Sequence, residues 1–211
     1  MNKFFSIDNP MFAFLERITD FLLLNLLWLL CCIPIVTIFP ATSAFYYVML
    51  KIVRSEDPGI FKNFFRSFID NIKQGILPSL IFLPAGFLLY LDYVISGQLE
   101  QPLSTLFQLV FVVLSIVFVV FYVYTVALQA QFTNTIRQTL KNAFFLSLRH
   151  FLRSCVILFF NALPILVIFL LPDFFSRFLP FWMFLFPSII TYFCSKQFRK
   201  IFDPLIEAAK G

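Results

Sequence analysis

Side chains that could bind a metal ion are few and widely spaced in this chain of 211 residues. The single histidine, His150, has no second histidine to complete a zinc site, whose ligands recur at short, characteristic spacings. No pair of cysteines shows the C-x-x-C spacing, and all of them lie in or beside strongly apolar segments, at Cys31, Cys32, Cys155 and Cys194. We therefore expect apolar, buried thiols and no metal site.

Motifs of the common enzyme classes are also missing. The patterns H-E-x-x-H and G-x-S-x-G do not occur, and the five glycines form no phosphate-binding loop. Without such a loop the chain cannot be the ATP-hydrolysing subunit of a transporter. We predict a protein that is not an enzyme, with no catalytic residue and no cofactor. Its net charge of +5 is distributed as expected for a membrane protein and does not indicate nucleic acid as a partner.

The elements that carry these residues are revealed by five stretches without Asp, Glu, Lys or Arg. An α-helix needs about 20 apolar residues to cross the hydrocarbon core of a bilayer, and each stretch has at least 18: 21–50, 74–91, 101–136, 154–172 and 178–195. The chain is 61% apolar. The sequence therefore predicts an all-α fold, a polytopic transmembrane bundle in a lipid bilayer, with residues 1–211 as one integral-membrane domain.

The first stretch is too long for one upright span, about 45 Å at 1.5 Å per residue. Proline breaks or kinks a helix, so Pro34 and Pro40 divide the stretch into a helix over 11–33 and a returning helix over 41–54. This division predicts five to six membrane helices. Whether 41–54 crosses the bilayer fully is left open.

Basic residues are concentrated in alternate connectors, which predicts the orientation of the bundle. Segments 51–73 and 137–153 and the C-terminus are rich in Lys and Arg, whereas 92–100 has no base and 173–177 has one base and one acid. Lys and Arg are retained on the cytoplasmic side. We predict that the basic segments and both termini are cytoplasmic and that 92–100 and 173–177 face outward.

Two of the basic segments have apolar residues at helical spacing and predict amphipathic interfacial helices. The first lies between Pro58 and Lys73, with Phe61, Phe64, Phe65, Phe68, Ile69 and Ile72 on its apolar side. The second lies in 131–151, with Phe132, Ile136, Leu140, Phe144, Leu148 and Phe151. Each contains Lys-Asn, at 62–63 and 141–142, which allows a weak internal duplication with halves 1–100 and 101–211. The alternative is that such helices simply share a composition.

The charge-free stretches contain a few polar residues, which are Asn25, Thr37, Gln108, Ser115, Asn161, Ser188 and Thr191. Hydrogen bonds between helices explain such residues; a path for a neutral solute lined by Asn25, Gln108 and Asn161 is the alternative. The 33 phenylalanines favour lipid-facing and interfacial packing. An aromatic ligand cage is the alternative, but no cluster of Trp and Tyr in the sequence supports it.

The stretch from Asn25-Leu26-Leu27-Trp28 through Pro34-Ile35-Val36-Thr37-Ile38 to Pro40-Ala41-Thr42 and Ala44-Phe45-Tyr46-Tyr47 resembles the opening signature of the YesL family. This is a bacterial family of small integral membrane proteins with a domain of unknown function. Lys62-Asn63-Phe64-Phe65 and Thr139-Leu140-Lys141-Asn142-Ala143 fit the same pattern. The resemblance covers most of the chain. It makes seven residues candidates for a family signature or partner contact: Asn25, Pro34, Thr37, Pro40, Lys62, Asn63 and Phe64.

The resemblance implies a location in the bacterial cytoplasmic membrane but no established biochemical activity. Members of the family commonly accompany carbohydrate-uptake ABC systems and polysaccharide-utilisation genes. We therefore expect an accessory or regulatory partner of a carbohydrate ABC import system, in contact with its permease subunits. The alternative is a small independent transporter or channel for a neutral solute.

Overall fold

The computed structural model describes residues 10–57 and 59–208, and side chains from Phe14 onward. Within these residues the chain is almost entirely helical and has no strand, which confirms the predicted all-α bundle. A 3-10 turn (Ile35–Thr37) accompanies the α-helices, which are α1 (Pro10–Cys31), α2 (Ile38–Val53), α3 (Ile60–Ser96), α4 (Leu103–Gln131), α5 (Ile136–Arg149), α6 (Phe151–Leu170), α7 (Pro172–Arg177), α8 (Leu179–Phe184) and α9 (Phe186–Ala208).

The first charge-free stretch folds into two helices, as the prolines predict. The turn between them is shorter than predicted, because α2 begins at Ile38 and includes Pro40. Proline is tolerated there because the N–H groups of a helix's first turn have no partner within the helix.

Helix α2 is the centre of the bundle. In the segment Ile35–Val53, 61% of the residues are buried, against 17%, 6% and 11% in the apolar windows of α3, α4 and α6. Residues 123–130 at the end of α4 are also buried on every side. The packed core therefore lies around α2 and the end of α4, whereas the far halves of α3 and α4 expose their apolar side chains, as helices in lipid do.

The first of the two predictions of an interfacial helix is wrong. The amphipathic segment that ends at Lys73 is not a separate helix but the first part of α3, which continues without a break for 37 residues, about 55 Å. Pro78 and Pro84 lie inside α3, and Pro164 lies inside α6, so these prolines do not divide their helices. Pro58, where the predicted segment begins, lies outside the described residues.

The second amphipathic segment does form a helix of its own, α5. Thr135 caps its first turn: the Thr135 hydroxyl accepts a hydrogen bond from the Gln138 N–H, and the Gln138 side chain accepts one from the Thr135 N–H. This reciprocal pair is the capping box of helix N-termini. A turn at His150 then separates α5 from α6.

The last charge-free stretch differs from the prediction of one membrane helix over 178–195. The predicted outer loop 173–177 lies within α7, the short helix α8 follows, and α9 begins only at Phe186 and continues to Ala208. A helix can extend past the apolar stretch because its backbone hydrogen bonds are satisfied internally in water as well as in lipid.

Four segments of the described chain are long and apolar enough to cross a membrane: Ile35–Val53, Ile60–Ser96, Leu103–Gln131 and Phe151–Leu170. The two other long helices, α1 and α9, carry several charged residues each. The chain is a helical membrane protein, and five to six membrane helices remain the prediction for the complete bundle. The predicted cytoplasmic location of both termini concerns residues that lie outside the described ones.

Candidate functional site

The turn between α1 and α2 is held together by Thr37. Its hydroxyl Oγ1 lies 2.7 Å from the carbonyl oxygen of Cys31 and 2.6 Å from that of Pro34. The Thr37 side chain is buried, whereas Pro34 is exposed. Cys31 is the last residue of α1, and the hydroxyl gives its carbonyl the hydrogen bond that the end of the helix does not provide. Pro34 and Thr37 therefore shape the chain reversal.

Pro40 lies at the closest approach of α2 to α3. A Cβ atom added to Gly75 would lie 3.0 Å from both Cβ and Cδ of Pro40, so a larger residue on α3 would crowd the proline ring at this point. The Ser79 hydroxyl lies one turn further along α3, where it accepts a hydrogen bond from the Phe39 N–H at 3.3 Å and donates to the Gly75 carbonyl at 3.1 Å. Pro40 thus sets the distance between the two helices.

Lys62, Asn63 and Phe64 share the first turns of α3 but differ in environment. Phe64 is fully buried, and its ring stacks on that of Phe68, with centroids 6.3 Å apart. The Asn63 side-chain oxygen accepts a hydrogen bond from Lys51 Nζ of α2 at 3.3 Å. Lys62 is exposed. Asn63 and Phe64 anchor this end of α3, which presents Lys62 at the surface.

Asn25 is completely buried between α1 and the segment that contains α8. Its amide Nδ2 donates a hydrogen bond to the carbonyl oxygen of Met183 at 2.6 Å. Its amide oxygen is also buried and has no hydrogen-bond partner among the described residues. A buried acceptor without a partner is costly, so a water molecule or a ligand group is expected to reach it.

Met183 also lines a pocket of about 320 Å³ between α1, α2, α4, α6 and the α7–α9 region. None of the described residues that line it is Asp, Glu, Lys or Arg. The wall contains the Trp and Tyr cluster that is not visible in the sequence, formed by Trp28, Tyr46, Tyr122 and Trp182. The aromatic pocket, as we call it below, has the size and the mainly apolar lining of a site for a small neutral molecule.

Polar groups in the aromatic pocket come from several helices. The Trp28 indole N–H donates to the Thr42 hydroxyl at 3.1 Å. Asn161 Nδ2 lies 2.8 Å from the Ile157 carbonyl oxygen and 3.4 Å from Cys194 Sγ. The buried indole N–H of Trp182 has no acceptor among the described residues. An uncharged ligand with a hydrogen-bond acceptor would satisfy it.

The predicted neutral path through Asn25, Gln108 and Asn161 is only partly assembled. Asn161 lines the aromatic pocket and Asn25 bonds to one of its lining residues. Gln108 is instead next to Gly97, where the chain passes from α3 to α4. The structure therefore brings two of these three residues to one region.

A second polar site, at the other end of α2, is missed entirely by reasoning from the sequence. Arg54 donates two hydrogen bonds to Asp203 Oδ1, at 2.7 and 3.0 Å, and one to Gln131 Oε1 at 2.8 Å. Arg199 donates to Asp203 Oδ2 at 3.1 Å and to the Val53 carbonyl at 3.0 Å. These residues come from distant parts of the sequence, and no local pattern indicates that they meet. The cluster joins the ends of α2, α4 and α9.

Groups of His, Cys, Asp and Glu that could hold a metal ion do not occur among the residues described. What the described geometry offers instead is an uncharged pocket that could bind a neutral molecule and a polar cluster that joins three helices.

Comparison with known proteins finds one matching family and one matching protein, and neither has a known function. Residues 21–93, which include the second half of α1, all of α2 and most of α3, match the family described as a protein of unknown function, DUF624. The chain is also 28% identical over 146 residues to the uncharacterized protein YesL of Bacillus subtilis (strain 168), over 67% of this chain and 68% of that protein. No solved structure matches.

The two matches agree with the resemblance read from the sequence. The matched residues 21–93 contain all seven signature candidates, from Asn25 to Phe64. The chain is thus similar to the DUF624 family over residues 21–93 and to YesL over two thirds of its length, and both descriptions leave the function unknown.

Proposed function

We propose that this protein is a non-enzymatic accessory component of the bacterial cytoplasmic membrane. It contacts the permease subunits of a carbohydrate ABC importer and supports their assembly, stability or regulation. The type of partner is suggested by the carbohydrate-uptake ABC systems that members of the YesL family commonly accompany. The structural support is the exposed side of the first half of α3.

This side, called the α3 face, combines an apolar edge with a charged one. Phe61, Phe65 and Ile69 are 54%, 42% and 63% exposed. Beside them around the helix follow the exposed charged residues Lys62, Lys73, Arg66 and Asp70. An aromatic edge next to a basic one suits the surface of another membrane protein at the level of the lipid headgroups.

The α3 face is held in position by two other residues of the first turns of α3. Phe64 is fully buried in the core, and Asn63 accepts a hydrogen bond from Lys51 of α2. A rigid surface loses little conformational entropy when a partner binds. This anchoring is the observation that carries the proposal.

A photo-crosslinking side chain at Phe65, in cells that express the importer, tests the contact. We expect an adduct with a permease subunit. The control is the same side chain at Phe169, a position at the far end of α6 that is equally apolar and even more exposed, at 81% against 42% for Phe65. Adducts with lipid alone at Phe65, or equal permease adducts at both positions, would show that the α3 face is not a docking surface.

The role itself is tested by deleting the gene and measuring permease abundance and sugar uptake under inducing conditions. We expect both to fall, and to recover when the intact chain is supplied. Unchanged abundance and uptake would rule out the accessory role.

The aromatic pocket favours a second candidate, an independent transporter for a neutral solute. Flux of a neutral solute into liposomes that contain only this protein should then exceed flux into empty ones. Asn161→Ala should reduce it, whereas Gln108→Ala, outside the pocket, should not. Equal flux into both kinds of liposome would exclude transport of that solute.

A further inference from the structure

An open, apolar groove lies on the other side of α4 from the aromatic pocket. It has a volume of about 470 Å³ and is walled by residues of α4, α5 and α6, among them Val117, Phe121, Phe144, Leu148, Phe151 and Cys155. This groove, called the α4–α6 groove, is within the size range of small-molecule sites, roughly 300–1,000 Å³.

The few polar atoms of the α4–α6 groove already have partners within the protein. The Ser154 hydroxyl lies 2.8 Å from the Tyr124 hydroxyl and 2.8 Å from the Ser147 carbonyl oxygen. The Ser147 hydroxyl donates to the Phe144 carbonyl at 2.9 Å. A ligand inside the groove therefore finds apolar surface and no free hydrogen-bonding group, which suits a hydrocarbon chain.

The rim of the groove is cationic. Residues 137–153 contain Arg137, Lys141, Arg149 and Arg153 and no acid. Lys141 is exposed and precedes Phe144 by three residues on α5, about 4.5 Å along the helix axis. Exposed Arg149 is the last residue of α5, about 12 Å along the helix axis from Lys141. Long basic side chains reach from such positions to a headgroup while their stems cover apolar surface.

These cations are not neutralised by nearby acids. Among the described residues, no Asp or Glu lies within salt-bridge distance of Arg137, Lys141, Arg149 or Arg153. Burial, together with the positive charges of Arg153 and Arg149, lowers the pKa of His150. Helix α5 therefore carries positive charge that no described acid offsets, next to the apolar groove.

We propose that the α4–α6 groove binds an anionic phospholipid, with an acyl chain against α4 and α6 and the phosphate held by Lys141 and Arg149. Basic pockets between membrane helices are known sites for acidic headgroups. The groove supplies the apolar half of such a site, and the basic side chains of α5 supply the charged half.

Thermal unfolding of the full chain in neutral detergent, with phosphatidylglycerol or phosphatidylcholine of identical acyl chains, tests the site. We expect phosphatidylglycerol to raise Tm by roughly 5–10 °C at about 100 times its Kd. Phosphatidylcholine should raise it much less. Equal rises with both lipids would overturn the charged half of the proposal.

Two exposed lysines at the start of α3 provide the matched control. Lys141→Gln with Arg149→Gln should abolish the phosphatidylglycerol increment, whereas Lys62→Gln with Lys73→Gln, the same change in charge, should retain it. Loss of the phosphatidylglycerol increment in both double variants would indicate unspecific attraction to acidic micelles and would overturn the proposed site.

The apolar half of the site needs its own test. Cys155 is exposed to the groove, so Cys155→Trp should fill it and reduce the increment while every cation remains. Soluble glycerol 3-phosphate should give no increment. An equal increment with glycerol 3-phosphate, or an unchanged one in Cys155→Trp, would show that no acyl chain is bound there.

Discussion

At the scale of single residues, the pair of Arg54 and Asp203 stands out because its charges are only partly hydrated. The side chains are 15% and 33% exposed, and Arg54 Nη2 lies 2.7 Å from Asp203 Oδ1. Charge-assisted hydrogen bonds of this kind are stronger than neutral ones. The pair joins α2 to α9 across 149 residues of sequence.

We predict that Asp203→Asn lowers the free energy of unfolding by about 1–3 kcal/mol, because Arg54 and Arg199 lose their common acceptor of charge-assisted hydrogen bonds. Thermal unfolding in detergent measures this. Asp70→Asn is the matched control: Asp70 is 68% exposed and lies 3.9 Å from Arg66. Exposed pairs contribute little, so its effect should be below about 0.5 kcal/mol. Equal effects would contradict a special role for Asp203.

At the scale of helices, the contact between α2 and α3 depends on Gly75. Its missing side chain lets α3 approach Pro40 so closely that a Cβ atom would be 3.0 Å from two of its carbons and 3.2 Å from its nitrogen. The proline ring is part of the α2 backbone and has no free rotamer that relieves this contact.

We predict that Gly75→Ala moves the helices apart and costs about 1–3 kcal/mol, as overpacking of a tight core does. In Gly86→Ala the new Cβ meets only the Phe118 ring, at 3.3 Å, and alanine favours the helix by up to about 1 kcal/mol. The two variants should therefore differ clearly in Tm. A Gly75→Ala protein as stable as Gly86→Ala would show that the close approach is not tight.

Helix bodies could be predicted from the sequence better than their ends and partners. The stretch 101–136 corresponds to α4 and 154–172 to α6, because lipid excludes charge from both. The continuity of α3 could not be predicted from the sequence. Asp70 and Lys73 indicate where the chain passes from water into lipid, but the backbone stays helical across this boundary. The bonds of Asn25 to Met183 and of Arg54 to Asp203 link residues 158 and 149 positions apart. No local sequence pattern predicts such contacts.

The aromatic pocket could not be predicted for the same reason, because it is formed by contacts between distant parts of the sequence. Each residue of the aromatic pocket is unremarkable in the sequence, since Trp28 and Trp182 are isolated tryptophans on different helices. Only the packing of α1, α2, α4 and α8 brings them together. The signature residues Pro34 and Thr37, by contrast, lie close in sequence, and the chain reversal that they shape could be inferred from the prolines.

At the scale of the whole molecule, the distribution of buried residues is uneven along the bundle axis. The densely packed region surrounds α2, whereas the connection from α3 to α4 lies beyond it and carries Asp92 and Glu100 without a base nearby. At the other end, 137–153 is purely basic. Since Lys and Arg stay on the cytoplasmic side, the packed end should face the cytosol.

Labelling of single introduced cysteines with a membrane-impermeant maleimide checks this orientation. Gln98 and Thr133 are both exposed, the first between α3 and α4 and the second between α4 and α5. We predict that Gln98→Cys reacts in intact cells, whereas Thr133→Cys reacts only after the membrane is opened. The unaltered chain, labelled in parallel, corrects for its exposed Cys155. The reverse pattern would place the α3 face and the cationic residues of α5 outside the cell and would contradict the predicted orientation. Equal labelling of both positions before permeabilisation would mean that α4 does not cross the membrane.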